Sequence, residues 1–480
     1  MKNLSKRALA SLMALSMLAG CSQAAPKEEA PAEEPVQEVN PDAIPVEMHA
    51  IVTDAGQSLD KMVIDFGDKK ITGVENDTFE VKMTSTVTYG EAKGQPYAYF
   101  DSETPIPVVK TETNGGVVTV YFQQNYAGTL NWLAEGRNMP AELAFTITQT
   151  KDINELSSDK RELPFTAEYS CAATSYKDLI DEETAKFEGV EADINYQFHK
   201  GTNDKLIVWF HGNGEGDFPT KDTNNNVAQM LANRGTVAWA TEEAQEVFGD
   251  ASVMSFQAPN VWYLAKKDNL LETAYNEIQD VIKANGINED EIYVSGCSAG
   301  GFMTTRMIIA YPELFKAAMI NCPALDIANL RSETEDATPT DEELAVLKTA
   351  KTKIWLVQGE TDSSVNPEDC SKRIWKILTD GAEVTDKKFE GTAGIASGFT
   401  TYETADGKYK LSLYETADVE DGEGTLGDTR PMGKLVFAED YNQDGELEEV
   451  KHSDHWSWIY TLRNNPEDAA GEHIWQWAVK

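Results

Sequence analysis

Ile292-Tyr-Val-Ser-Gly-Cys-Ser298-Ala-Gly-Gly301 decides how this chain folds. A run of strand character, Ile292 to Ser295, passes through G-x-S-x-G into a helical stretch rich in Met and Ile. A serine on so tight a strand-to-helix turn needs small neighbours. The glycines relieve the crowding, and the helix N-terminus favours negative charge developing beside the hydroxyl. The pattern therefore predicts Ser298 as a nucleophile exposed at the carboxyl edge of a sheet. No second G-x-S-x-G occurs in the chain.

Outward from this motif the pattern alternates strands with helices. Leu206 to Phe210 is a continuous apolar run, as a parallel strand covered on both faces requires. Strand signals recur at Val237 to Ala240, Val253 to Phe256, Ala317 to Ile320 and Ile354 to Val357. Asp268 is placed to cap a helix in which Leu271, Ala274, Ile278, Val281 and Ile282 recur at three- and four-residue spacing, with Gly286 past its end. This β-α-β rhythm predicts an α/β layer over 165–480, a mostly parallel sheet with helices on both faces.

Residues 46–164 follow a different period. Met62, Ile64 and Phe66, then Phe79, Val81 and Met83, then Val118, Val120 and Phe122, then Leu143, Phe145 and Ile147 alternate as half-buried strands do. Asn114-Gly115-Gly116 supplies turn chemistry, so a small antiparallel sandwich is expected there, with no catalytic cluster. Residues 21–45 are rich in Ala, Pro and Glu and carry too little apolar surface to fold, which makes them a spacer. Residues 1–20 read as a signal peptide: Lys2, Lys6 and Arg7 precede an apolar stretch too short to span a bilayer. Leu18-Ala19-Gly20-Cys21 resembles a bacterial lipobox, so Cys21 is the expected lipidation site, the sole membrane attachment, on the extracellular face.

The formal charge of 41 − 81 = −40 argues against nucleic acid, whose phosphates are bound by cationic side chains. Cys171, Cys297, Cys322 and Cys370 lack the close paired spacing of a structural zinc site, and the sequence assigns them no disulfides.

A serine nucleophile needs a base and an orienting carboxylate. Beyond Ser298 stand His452, His455 and His473. His473 falls in an amphipathic C-terminal helix with Ile474, Trp475 and Trp477. His455 opens Trp456-Ser457-Trp458 at a loop entering a helix, and is preferred to His452. The pair His452-x-x-His455 suggests no metal site, because no third ligand accompanies it. Asp362, in the loop after Ile354 to Val357, is the expected acid, with Asp326 as the alternative. Backbone donors for an oxyanion are expected from Ala299 and from the loop at Gly212 and Asn213. His211 is read as shaping that loop. This chemistry requires no cofactor and no metal.

Leu206-Ile-Val-Trp-Phe-His-Gly-Asn-Gly-Glu-Gly216, Ala258-Pro259, Gly-Cys-Ser298-Ala-Gly-Gly and His455-Trp-Ser-Trp together resemble the EstA-like esterases, relatives of feruloyl esterases and polyhydroxybutyrate depolymerases. The resemblance implies an immunoglobulin-like sandwich ahead of an α/β-hydrolase fold, a triad of Ser298, Asp362 and His455, and an oxyanion loop at Gly212 and Asn213. It also implies hydrolysis of carboxylic esters, either small molecules or acyl and feruloyl decorations of polysaccharide. The interval from Asp362 to His455 is long for such a fold, and 385–450 is read as inserted β-structure or a lid. Within it, Asp440-x-Asn442-x-Asp444-Gly445 is read as a hairpin turn rather than a calcium loop, since Lys451 stands where a bidentate Glu is needed. The competing readings are a serine peptidase of the prolyl oligopeptidase kind, for which the sandwich is too small to be the propeller, and a non-catalytic surface binding protein.

Overall fold

Two apolar periods produce two cores. The computed structural model describes residues 42–480 except 156–161, 164–167, 172–174, 180, 219–222, 392–395, 423 and 425–428. The leader, Cys21 and nearly all of the spacer lie outside the described residues.

In the N-terminal all-β region a five-stranded sheet has the order Tyr169–Cys171, Ile44–Thr53, Gly56–Asp65, Val117–Phe122, Val108–Asn114. Phe79–Thr86 pairs separately with Glu142–Gln149. The alternation read from sequence sets both registers: Met62 faces Val120 and Ile64 faces Val118 across one pair, while Met83 faces Phe145 across the other. Side chains of both sheets meet in one core that includes Met62, Ile64, Val118, Phe122, Phe79 and Val81. The turn at Gly115 has φ 64°, and a Cβ on Gly116 would stand 2.0 Å from the Gly67 carbonyl oxygen. This layer does not end at 164. Tyr169–Cys171 runs parallel to Ile44–Val46, and Leu179 joins the same core.

The second core surrounds a ten-stranded mixed sheet. Its central strands run parallel in the order Ser252–Phe256, Leu206–Phe210, Ile292–Cys297, Ala317–Asn321, Lys353–Gly359, Tyr409–Tyr414. Antiparallel strands extend both edges, Tyr196–His199 and Glu188–Val190 on one side, Phe399–Thr404 and Val384–Phe389 on the other. Leu206–Phe210 is buried throughout, as its unbroken apolar run requires. Helix Leu270–Asn285 turns Leu270, Ala274, Ile278, Val281 and Ile282 inward, and Gly286 ends it in the left-handed conformation at φ 67°.

Three expectations are corrected. Val237–Ala240 is a buried 3-10 turn, not a strand; it leads into helix Glu242–Phe248, whose N-cap is Thr241. A four-residue apolar run carries no period that separates the two forms. Asp268 does not cap the following helix. Its N–H still belongs to the preceding turn, bonded to the Leu264 carbonyl at 2.8 Å, and the chain enters the helix through left-handed Asn269. The 385–450 segment is not a single insertion. Tyr409–Tyr414 lies inside the principal sheet, and its polar members are buried with partners: Lys410 pairs with Asp468 and, at 3.3 Å, with Glu403.

Among the described residues of this segment, Ala417–Glu420, Met432–Glu439 and Glu448–Ser453 stand apart, as a three-stranded antiparallel sheet. The Asp440 loop closes its second hairpin, and the Asp440 carboxylate accepts the Asp444 and Gly445 N–H groups at 3.0 Å each. Cys297, Cys322 and Cys370 are buried free thiols. No helix among the described residues is long and apolar enough to cross a membrane.

Candidate active site

The register of the parallel strands brings the ends of Leu206–Phe210, Ile292–Cys297, Ala317–Asn321 and Lys353–Gly359 to one edge of the sheet. Ser298 leaves its strand at φ 54°, ψ −116° and starts helix Ala299–Ala310. Such backbone costs about 1–3 kcal/mol and persists only where its surroundings fix it. Here the Ser298 N–H donates to the Asn321 carbonyl at 3.0 Å, and the Ser298 carbonyl accepts from Ala324 and Phe302 at 3.1 and 3.0 Å. The glycines allow backbone to meet backbone. A Cβ on Gly300 would lie 1.9 Å from the Phe210 carbonyl oxygen, and one on Gly301 would lie 2.6 Å from that of Asn321.

Across this edge the structure brings Asp362 and His455 together. His455 Nδ1 stands 3.0 Å from each Asp362 carboxylate oxygen, although 93 residues separate them in sequence. Asp362 is fully buried. Its Oδ1 accepts the backbone N–H groups of Ser364 and Val365, and its Oδ2 accepts Gln358 Nε2, all at 3.0 Å. Burial alone would lower the His455 pKa. The Asp362 carboxylate, with a smaller contribution from Cys322, overrides burial and holds the imidazole well above its ordinary 6.5. With Nδ1 engaged, Nε2 is the nitrogen left for proton transfer.

Cys322, at φ 35°, completes a close group: its sulfur, a His455 nitrogen and an Asp362 oxygen lie within 4.8 Å of one another. His452 sits elsewhere, with Nε2 3.0 Å from Glu439 and its ring stacked on Trp456. Asp326 accepts the Asn366 N–H at 2.8 Å instead of meeting an imidazole.

Sequence reasoning missed Asp454. It is almost fully buried and faces the acid loop rather than His455. Its carboxylate accepts Ser363 Oγ at 2.7 Å, Thr361 Oγ1 at 3.0 Å and the Gly433 N–H at 2.9 Å. The loop carrying Asp362 is thereby tied to the loop carrying His455. The adjacency Asp454-His455 was the one available signal.

The other wall is the turn after Leu206–Phe210. Asn213–Glu215 forms a 3-10 turn with Gly212 as its N-cap. Ala299 and Asn213 each stand first in a helical turn, where N–H groups have no intrahelical acceptor. His211 shapes this loop. Its Nε2 accepts the Ala258 N–H at 2.9 Å, which fixes the proton on Nδ1, and Nδ1 donates to the Gly212 carbonyl at 2.6 Å. Burial lowers its pKa to about 3, so it is neutral.

Ser298 and His455 line one cavity of about 440 Å³ together with Gly212, Asn213, Trp456 and Trp458. The Ser298 hydroxyl has no hydrogen-bond partner among the described residues. The N-terminal region supplies a third side. Trp132, half exposed, packs against Gly214, and Arg137 donates to the carbonyl oxygens of Asp217 and Asn260 at 3.4 and 3.2 Å. A larger surface cleft of about 850 Å³ lies among Lys316, Lys353 and Lys410 at the opposite edge, and none of the candidate groups lines it.

A solved structure described as a thermostable esterase overlays this chain at TM-score 0.59 with 20% identity, covering 87% of this chain and 96% of that one. The fold is that of the α/β-hydrolases. Two weaker overlaps are with acetyl xylan esterase from Aspergillus awamori and a puromycin-hydrolysing peptidase from Mycobacterium tuberculosis. The first has TM-score 0.37 and 15% identity over 48% of this chain and 93% of that one. The second has TM-score 0.33 and 13% identity over 75% and 62% respectively. Residues 259–389, about a quarter of this α/β-hydrolase chain, match the model of the prolyl oligopeptidase family, peptidase S9. No curated protein matches.

Proposed function

We propose that this chain is a serine hydrolase of carboxylic esters, with Ser298 as nucleophile, His455 as base and Asp362 as the acid that orients it. One observation carries the reading: an imidazole held by a buried carboxylate shares a cavity with a serine in strained backbone. Ser298 Oγ attacks the ester carbonyl while His455 Nε2 takes its proton. The oxyanion is held by the N–H groups of Ala299 and of the Gly212–Asn213 loop. His455 returns the proton to the departing alcohol, and water then cleaves the acyl-enzyme by the same route. The test is labelling by a fluorophosphonate. Wild type takes the label and Ser298→Ala neither labels nor turns over; an unlabelled, folded wild type beside a labelled control refutes the reading.

The substrate class we propose is an external ester, a small molecule or an acyl or feruloyl group on polysaccharide, within a kinship to EstA-like esterases that includes an immunoglobulin-like first domain. Its support is the HGNGEG and GCSAGG motifs and the all-β layer preceding the hydrolase layer. The location we propose is the outer face of a bacterial membrane, anchored through Cys21. Cys21→Ala then releases the protein to the medium, and unchanged membrane retention counts against the anchor. Peptide hydrolysis is the second reading, because of the match at 259–389. Faster cleavage of peptide amides than of esters by one preparation would favour it.

A further inference from the structure

Glu215 is a carboxyl with no function in the mechanism above, yet it lies against both walls that supply the candidate oxyanion donors. It is the third residue of the 3-10 turn and almost fully buried. Its Oε2 stands 3.1 Å from where a Gly212 side chain would begin, beside the Cys297 sulfur at 3.5 Å from the same point, and Cys297 immediately precedes Ser298. Its Oε1 accepts Asn138 Nδ2 at 3.4 Å. Gly212, the N-cap of the same turn, lies beside this carboxyl, and its backbone favours the ionised form by less than burial opposes it.

The charged groups around it do not neutralise it. Arg137 faces Glu215 from the N-terminal region, but its guanidinium is spent on the carbonyl oxygens of Gly136, Asp217 and Asn260. His211 Nδ1 approaches Glu215 to 3.9 Å, and that ring is neutral. From the nucleophile turn only the Cys297 thiol faces it, and burial keeps that thiol protonated. A carboxyl so enclosed is costly to ionise. Burial pushes Glu215 up to about 7, against the smaller opposing effects of its own N–H, Arg137, Asn138 and Gly212.

We propose that Glu215 is a positioning residue for acyl transfer: neutral, it braces the Gly212–Asn213 loop, and on ionising it opposes the charge that develops at the oxyanion. A negative charge one loop away from the reacting oxygen, in a site shielded from water, slows the reaction by about tenfold or more. This rests on the reading of Ser298 as nucleophile.

The experiment is kcat/KM against pH for wild type, Glu215→Gln, Asn138→Ala and Ser298→Ala, with p-nitrophenyl acetate as an uncharged ester. Glutamine keeps the shape of the side chain and an oxygen for Asn138, and cannot ionise. Glu215→Gln is expected within about twofold of wild type at low pH and about tenfold faster well above neutrality, with the alkaline loss abolished. Asn138→Ala removes a hydrogen bond that favours the carboxylate, so its alkaline limb moves to higher pH; this variant serves if Glu215→Gln fails to fold. A Glu215→Gln to wild-type ratio that is constant with pH, or an Asn138→Ala limb that stays in place, overturns the inference. Turnover by Ser298→Ala overturns the underlying reading instead.

Discussion

Replacing Asp454 by alanine separates the loops that carry Asp362 and His455 without touching either residue. The side chain accepts four hydrogen bonds, at 2.7 and 3.0 Å from the acid loop, 2.9 Å from Gly433 and a long one of 3.5 Å from neighbouring Ser453. Bonds to an ionised carboxylate are worth about 1.5–3 kcal/mol each, but they are not additive here. The freed hydroxyls of Thr361 and Ser363 are part-buried and can rotate to water, whereas the buried Gly433 N–H is orphaned. The expected loss is about 3–5 kcal/mol, which a domain of ordinary stability survives. Rate suffers separately, because a shift of about 1 Å in a catalytic group costs on the order of 100-fold. Asp454→Asn retains one acceptor oxygen for Gly433 and falls between wild type and alanine. Urea unfolding followed by tryptophan fluorescence reads the first quantity, and kcat on a simple ester reads the second. An alanine variant within about 0.5 kcal/mol and twofold of wild type would refute the tether.

Asp362→Asn removes the charge that fixes the His455 tautomer while keeping the shape, so kcat drops by about 10⁴ with an unchanged circular dichroism spectrum; a drop under tenfold shows the pair is not used. Gly300→Ala forces a Cβ to 1.9 Å from a carbonyl oxygen, and a melting temperature within a few degrees of wild type would show the close approach to be wrong. The raised His455 pKa sets opposite signs for rate and stability. The base must be neutral, so activity falls as pH drops through a value above 6.5. The imidazolium–Asp362 pair contributes stability that is complete below 6.5 and lost as pH rises through that raised value. The melting-temperature gap between wild type and His455→Asn is therefore widest on the acid side, and a gap that widens toward alkaline pH contradicts the assignment.

Much of this architecture is legible in the residues because local and global preferences agree. The G-x-S-x-G turn, the apolar strand Leu206–Phe210 and the helix closing at Gly286 each carry their own signal in spacing or in small residues. Val237–Ala240 misled because four buried apolar residues satisfy a strand and a 3-10 turn equally. Residues 385–450 misled because the long interval between Asp362 and His455 suggested an insertion, whereas Tyr409–Tyr414 belongs to the principal sheet and its Lys410 and Ser412 find partners in the distant Asp468, Glu403, Trp355 and Thr401. Asp454 and Glu215 were invisible for the same reason. Their meaning lies in which loops the sheet brings into contact, and beyond the adjacency Asp454-His455 no local pattern encodes that.

Two contacts between the ends of the described chain bear on how it reaches this state. Arg463 Nε donates to Asp54 at 2.9 Å across 409 residues, and Gln443 Nε2 reaches the Phe122 carbonyl at 2.6 Å across 321. Asp54 also lines the cavity that holds Ser298 and His455. Closing so long a loop is entropically late and slow compared with forming the local hairpins and helices that precede it. A refolding chain therefore regains its secondary structure well before its cavity wall, and recovery of the proposed ester hydrolysis becomes a stopwatch for the final step of folding.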